Sequence, residues 1–83
     1  MLAAVTVGNV WATRKADKLN GFKLMQVELL NGGQKLVAID TISAGVGDRV
    51  LICTGSTARR MAGDDNCPID AAIIGIIDND CEI

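Results

Sequence analysis

The chain has 83 residues, which is enough for one small domain spanning 1–83 and leaves no room for a second core. Its 49% hydrophobic and 22% charged residues exclude the disordered class, while a net charge of −2 and only two aromatic residues argue against a nucleic-acid surface. Histidine is absent, which removes the usual general base and metal ligand and argues against an enzyme.

The first half of the chain predicts three strands. Alternating valines around Gly8 predict a strand over residues 2–12 that bends or bulges at the glycine. A second strand is predicted over 22–30, where the apolar positions change sides midway and indicate a bend. The segment 31–33, Asn-Gly-Gly, tolerates positive φ and therefore predicts a β-hairpin with a returning strand at 36–39.

The second half predicts a turn, a strand, a short helix and a final strand. The glycines of residues 44–48 predict a tight turn that leads into a strand at 49–53. A helix of one or two turns is predicted to follow, with Ser56 as its N-cap and Gly63 beyond its end. The last core element is predicted over 71–77.

Five short strands, glycine-rich turns and one brief helix predict an all-β fold, a small five-stranded barrel resembling the OB-fold. The final strand lies within 70–78, where two aspartates bracket seven residues without a polar side chain. Strand alternation places the odd-numbered residues on one side and the even-numbered ones, Ile74 and Ile76 among them, on the other. Because the barrel interior holds one set, the other set is expected to be covered by another copy of the chain.

The cysteines and the N-terminal residues bear on where the protein works. Cys53, Cys67 and Cys81 form no C-x-x-C pair and are odd in number, so we expect reduced thiols, two of them buried, and no metal site. The N-terminal segment has no basic region, and no apolar run reaches about 18 residues, so neither a signal peptide nor a membrane span is expected. These features predict a cytoplasmic protein without a cofactor.

Charge is unevenly distributed along the chain. All eight basic residues precede Met61, and the acidic residues that follow it have no basic residue among them. Either these charges form a solvated surface, or a basic edge meets an acidic edge of a neighbouring copy. Arg59 and Arg60 are expected in the first helical turn, where the macrodipole disfavours cations. They are either exposed or paired with a carboxylate such as Asp40 or Asp70, within or between subunits.

Other classes of function have weaker support. An OB-like barrel also suggests a binding module for single-stranded nucleic acid or another ligand, and this is the alternative function. Gly45 and Gly47 match neither phosphate-loop pattern and predict a tight hairpin instead. Without histidine, a cysteine nucleophile needs a helix N-terminus or a cation, and Cys53 precedes the helix. No catalytic residue is therefore expected.

Six motifs occur in order along nearly the whole chain. Three follow the specific patterns A-G-x-G-[DE]-x-V-L, G-S-x-A-R and P-x-D-A-A-I-x-G-I-x-D. The six segments are Gly8–Thr13 followed by Lys15, Gly21–Leu24, Val37–Thr41, Ala44–Leu51, Gly55–Arg59 and Pro68–Asp78. Together they resemble the vertex-protein family of bacterial microcompartments, which includes carboxysome and ethanolamine-utilisation proteins. Ser43 departs from the family pattern, which often has glycine at this position.

The resemblance implies a β-barrel protomer assembled as a cyclic pentamer at the fivefold corners of a polyhedral shell. The implied function is structural, and the implied partners are other copies of the chain and hexameric shell proteins of an unrelated fold. Neither nucleic acid nor a membrane is an implied partner. The residues themselves leave the oligomer number and the enclosed enzymes open.

The matched motifs also contain candidate contact residues. Asp40, Ser56 and Arg59 are expected to hold the subunit contact by charge-assisted hydrogen bonds. Ile74 and Ile76, or their counterparts on the other face of the strand, are expected to be covered by the neighbouring copy.

An opening on the ring axis is expected to be lined by one of two turns. The turn at Gly45 and Gly47 is one candidate, and the turn at Gly55 and Ser56 is the other. A turn on the rim of the ring has the same sequence signature, so the choice stays open.

Overall fold

A computed structural model describes all 83 residues and contains five strands and one short α-helix. A single turn of 3-10 helix at Asp17–Leu19 lies between the first two strands. Every predicted strand is present, with bounds that differ by two residues at most. The elements are β1 Leu2–Val10, β2 Lys23–Leu29, β3 Lys35–Asp40, β4 Arg49–Thr54, α1 Ser56–Met61 and β5 Ala71–Ile76.

The five strands form a closed barrel in the order β1, β2, β3, β5, β4, and β4 pairs back to β1. All neighbouring pairs are antiparallel except β3 and β5, which run parallel. The β2–β3 connection is the predicted hairpin, where Gly32 and Gly33 have φ angles of 93° and 71° that favour glycine. The prediction of a small five-stranded barrel is confirmed.

A β-bulge interrupts β1 where the sequence predicts it. Thr6 pairs with Val27 and Gly8 pairs with Gln26, which leaves Val7 as the extra residue on β1. A bulge increases local twist and bends its strand. The bend lets the long first strand pair with β2 on one edge and β4 on the other, and so helps the small sheet to close.

The predicted tight turn at residues 44–48 is present, with the Asp48 amide donating to the Gly45 carbonyl at 3.1 Å, but the prediction that it closes a hairpin is wrong. β3 and β4 are not paired, because β5 lies between them. Residues 41–48 instead cross one end of the barrel and bond to β1. The Gly47 amide donates to the Thr6 carbonyl at 2.9 Å, and the Thr6 amide donates to the Asp48 carbonyl at 2.9 Å. The glycine signal marked a change of direction correctly, but it carries no information on which strand is the neighbour.

The barrel interior holds one apolar cluster to which every strand contributes. Ala44, from the crossing loop, is also buried in it and closes that end of the barrel. The cluster consists of Ala4, Met25, Val27, Ala38, Ala44, Val50, Ile52, Ala71 and Ile73.

A second cluster lies outside the barrel wall, where the chain itself covers part of the even-numbered side of β5. Helix α1 packs there, so that Ala58 and Ala72 are fully buried within one protomer. Ile74 packs against the same cluster and is partly buried. The chain's own helix therefore supplies part of the cover, which strand alternation alone does not reveal.

The alternation predicted for the last strand also fails at its end. Ile52 pairs with Ile73 while Leu51 pairs with Gly75, so Ile74 is an extra, bulged residue. Beyond the bulge, Ile76 pairs with Val50 and shares its inward face, although 47% of Ile76 is exposed at the end of the barrel. Ile74 and Ile76 therefore do not share one face.

Helix α1 begins differently from the prediction. Its N-cap is Gly55, with φ 70° and no side-chain cap, and Ser56 is the first helical residue. Because the helix has six residues, Arg59 and Arg60 fall in its last turn, where the macrodipole favours cations, and not in the first turn. Gly63 lies beyond the helix with φ 80°, as predicted.

We expect Thr6→Val to destabilise the protein by about 1 kcal/mol, because Val keeps the shape of the buried side chain and removes its hydrogen bond. The Thr6 hydroxyl donates to the Gly45 carbonyl and lies 3.1 Å from the Asp48 carbonyl, which ties β1 to the crossing loop. Urea unfolding at a fixed protein concentration measures the change. Thr54→Val, at an exposed position on β4, is the control, and an equal loss in both variants would contradict this role.

Candidate subunit interface

The strand directions define two ends of the barrel. At the end that we call the loop end, β1, β3 and β5 finish, β2 and β4 begin, and residues 41–48 cross. At the opposite end, the helix end, the hairpin of residues 30–34 lies and α1 follows β4. The candidate residues from the sequence are divided between these two ends.

Asp40, the last residue of β3, shapes the crossing loop. Its Oδ1 accepts the Ile42 amide at 3.0 Å, and its Oδ2 accepts the Ala44 amide at 2.7 Å. Lys23 lies above this turn, where its Nζ donates to the Ala44 carbonyl at 2.7 Å and lies 3.4 Å from Asp40 Oδ2. Side-chain oxygens of aspartate commonly bond the backbone two residues on in this way.

The carboxylate of Asp40 is therefore used inside the protomer. Its side chain has no exposed surface, and its cation is Lys23. The suggested intramolecular pairing of Arg59 with Asp40 or Asp70 is absent, because the two ion pairs of the protomer are Lys18–Asp64 and Lys23–Asp40. Any effect of Asp40 on a subunit contact thus passes through the loop that it shapes.

Ser43 lies at the middle of the turn that Asp40 holds. It is the one non-glycine residue of the chain with positive φ, at 63°. This left-handed conformation is the one that glycine adopts at least cost. The backbone geometry therefore favours glycine at position 43, where this chain has serine.

Ser56 and Arg59 lie together on the first turns after β4, at the helix end. Ser56 is exposed, and Arg59 is half-buried, with a guanidinium that makes no hydrogen bond or ion pair in the protomer. Ile74 packs near the same helix, whereas Ile76 lies at the loop end, beyond Asp40. The structure therefore places Ser56 and Arg59 on α1 and Ile74 against the cluster that α1 covers, and it separates Ile76 from all three.

The two candidate axial turns lie at opposite ends of β4. Gly47 precedes the strand and Gly55 follows it, and a six-residue strand spans roughly 20 Å. Both turns cannot line the same narrow opening. Gly55 is further tied to the start of β5, since its amide donates to the Asp70 carbonyl at 2.9 Å.

Arg49 anchors the C-terminal residues, a contact that the sequence analysis missed. Its guanidinium donates to the carbonyl oxygens of Asp78 at 2.7 Å, Asn79 at 3.3 Å and Ile83 at 2.6 Å. The tail therefore lies along the outer wall of β4 and β1. Because every acceptor is a main-chain oxygen, no side-chain pattern in the sequence signals this contact.

A cleft beside Trp11 is the second feature that the sequence analysis missed. Trp11 is 88% exposed at the end of β1, and the cleft has a volume of about 280 Å³. The signal available in the sequence was the single tryptophan next to a run of basic residues. The cleft is lined by Asn9, Val10, Trp11, Ala12, Thr13, Lys15, Phe22, Lys23 and Leu24.

Lys18 and Asp64 form an exposed ion pair of 2.7 Å that joins the β1–β2 connection to the segment after α1. The hydrogen bond from Lys18, with a second from the Asn66 amide, lowers the pKa of Asp64 below its usual value. Cys67 is buried beneath this connection and Cys53 is buried under α1, whereas Cys81 is exposed. Two of the three thiols are buried, as predicted.

Neither a metal centre nor a spanning segment is evident in the structure. No three Cys, Asp or Glu side chains are close enough together to hold a metal ion. None of the helices has the length and hydropathy needed to cross a bilayer.

We expect Asp40→Asn to destabilise the protein by about 1–3 kcal/mol, because an amide has one acceptor oxygen and one loop N–H loses its partner. Urea unfolding at a fixed protein concentration measures the loss. Asp70→Asn, at an exposed aspartate, is the matched control and should change stability little. Equal effects of the two substitutions would contradict the loop-shaping role of Asp40.

Comparison with known proteins identifies a family and its named members. Residues 1–78 match the family described as ethanolamine utilisation protein EutN/carboxysome. The bacterial microcompartment shell vertex protein GrpN from Rhodospirillum rubrum is 39% identical, with 94% of this chain and 93% of GrpN covered. The carboxysome shell vertex protein CcmL from Synechocystis sp. is 41% identical, with 94% of this chain and 83% of CcmL covered.

A solved structure extends the match to the three-dimensional fold. The pentameric shell protein MSM0273 from the RMM microcompartment is 38% identical to this chain and superposes with a TM-score of 0.90. The superposition covers 100% of this chain and 96% of the other. The likeness therefore includes every strand of the barrel and the tail.

Proposed function

Because the chain belongs to the family of EutN and the carboxysome vertex proteins, we propose that it is a structural shell protein that forms pentamers at the vertices of a bacterial microcompartment. The observation that carries the proposal is the match of the whole barrel to a pentameric shell protein. Named relatives are shell vertex proteins and not enzymes, and none of their names supports the nucleic-acid alternative.

The physical role follows from geometry. A flat layer of six-sided tiles cannot close into a polyhedron, and five-sided units at its corners allow it to close. We propose hexameric shell proteins as the tiles that this ring meets. A closed ring of identical subunits uses heterologous contacts, in which two different surfaces of one protomer face its two neighbours.

Ser56 and Arg59 support one of these contact surfaces at the helix end. A half-buried guanidinium without a partner retains donors for a carboxylate, and such a pair strengthens when a neighbour removes water from it. Ile74, partly buried beside α1, extends this surface with apolar area. Ile76, exposed at the loop end, belongs to a different part of the ring contact. Asp40 contributes indirectly, by holding the crossing loop.

The lining of an axial opening follows from which barrel end faces the fivefold axis. If the loop end faces the axis, Gly45 and Gly47 line the opening. If the helix end faces it, Gly55 and Ser56 do so. The separation of the two turns along β4 makes these arrangements exclusive.

Native mass spectrometry of the purified chain tests the proposed ring directly. The expected species has about five times the protomer mass of 8.7 kDa and persists at micromolar concentration. A stable monomer at that concentration would contradict the pentamer. A closed ring with a different number of copies would contradict its place at a fivefold vertex.

We expect Arg59→Ala to raise the protein concentration at which the ring dissociates by about tenfold or more, because a charged contact at an interface is lost in every subunit. Sedimentation velocity across a dilution series measures the shift. Arg60→Ala removes an exposed cation from the same helical turn and is the matched control. Unchanged dissociation of Arg59→Ala, or an equal shift in both variants, would exclude Arg59 from the contact.

A further inference from the structure

Trp11 and its cleft are unpartnered in the protomer. Trp11 is the only tryptophan and one of two aromatic residues of the chain, yet 88% of it is exposed. Phe22 and Leu24 line the cleft beside it, so the indole adjoins other apolar side chains. A large exposed aromatic beside an apolar cleft marks a surface that a partner covers.

The charge around the cleft favours an anionic partner. Lys15 and Lys23 line the cleft, and no acidic residue does. Lys23 is engaged with the crossing loop through the Ala44 carbonyl, whereas Lys15 makes no hydrogen bond or ion pair in the protomer. An exposed cation beside an apolar site favours a partner that carries both carboxylates and apolar surface.

The same chain carries such a surface in its C-terminal residues 78–83, here called the acidic tail. Asp78, Asp80 and Glu82 are exposed and take part in no ion pair. Arg49 holds the tail through main-chain oxygens, so the three carboxylates stay available. Ile83 ends the tail with 60% of its surface exposed, which adds apolar area to the charge.

The cleft and the acidic tail occupy separate places on one protomer. The cleft adjoins the end of β1 and the start of β2, while the tail crosses the outer wall from Arg49 on β4 towards Leu2 on β1. No residue of the tail lines the cleft of its own protomer. Two complementary surfaces that do not meet within one subunit suit head-to-tail ring closure.

We propose that in the ring the Trp11 cleft of each protomer receives the acidic tail of the next copy, with the indole covered and Lys15 paired to a tail carboxylate. This inference rests on the proposed ring and adds to it the identity of two surfaces that meet. A polyanion such as single-stranded nucleic acid fits the cleft less well, because the chain has a net charge of −2 and the uncovered tails would repel it.

Tryptophan fluorescence tests the covering of the cleft, because Trp11 is the only indole in the chain. In a ring verified by native mass spectrometry, we expect emission shifted to shorter wavelength and several-fold less acrylamide quenching than for N-acetyltryptophanamide. Fully solvated emission in a verified ring would overturn this inference while the proposed pentamer stands. If an oligonucleotide covers an indole that is solvated in the ring, the inference is likewise overturned. Absence of a ring would overturn the proposed function itself.

Charge reversal tests which surfaces meet. We expect Lys15→Glu to raise the protein concentration at which the ring dissociates by about tenfold, because the new carboxylate repels the carboxylates of the acidic tail. Adding Asp80→Lys and Glu82→Lys to the same chain should recover most of that loss, and the Arg49 contacts are unaffected because they use main-chain oxygens. Lys35→Glu, at an exposed cation outside the cleft, is the control and should leave dissociation unchanged. No loss in Lys15→Glu, or no recovery in the combined variant, would overturn the pairing.

Discussion

The parallel pairing of β5 with β3 is the constraint on which the rest of the structure depends. It places β5 between β3 and β4 and closes the barrel, so the chain leaving β3 cannot turn directly into its next strand. Residues 41–48 must cross the barrel end, and Asp40, Thr6 and Lys23 hold them there. The connection from β4 to its antiparallel neighbour β5 carries helix α1, which packs outside the wall over Ala72 and Cys53.

Closure of so small a barrel divides the apolar residues between an inside and an outside. The interior holds the inward-facing side chains of each strand, and α1 covers several of the outward-facing apolar side chains on the β5 side. Apolar side chains then remain exposed at particular places, among them Trp11, Ile76 and the tail residue Ile83. In a chain of this size one core supplies only a small free energy of unfolding, and association of copies is a common way to increase it.

A vertex protein needs shape and matched edges more than chemistry, and this chain is built accordingly. Its polar contacts are directed at loops and at the tail: Asp40 and Thr6 hold the crossing loop, and Arg49 holds the C-terminal residues against the wall. These contacts hold the crossing loop and the tail in defined positions against the barrel. Edges of fixed shape are what a ring needs to close at one subunit number.

The sequence by itself determined the strands, the bulge beside Gly8, the hairpin at Gly32 and Gly33 and the family, because alternation, turn chemistry and motif order are local properties. Only the tertiary structure decided that the 44–48 turn is a crossing loop, that Asp40 pairs with Lys23, and that the β5 bulge separates Ile74 from Ile76. The anchoring of the tail by Arg49 belongs to the same group. Each of these features depends on which distant segment of the chain lies alongside. Neither the identity of a neighbouring strand nor a main-chain acceptor can be predicted from the local residue pattern.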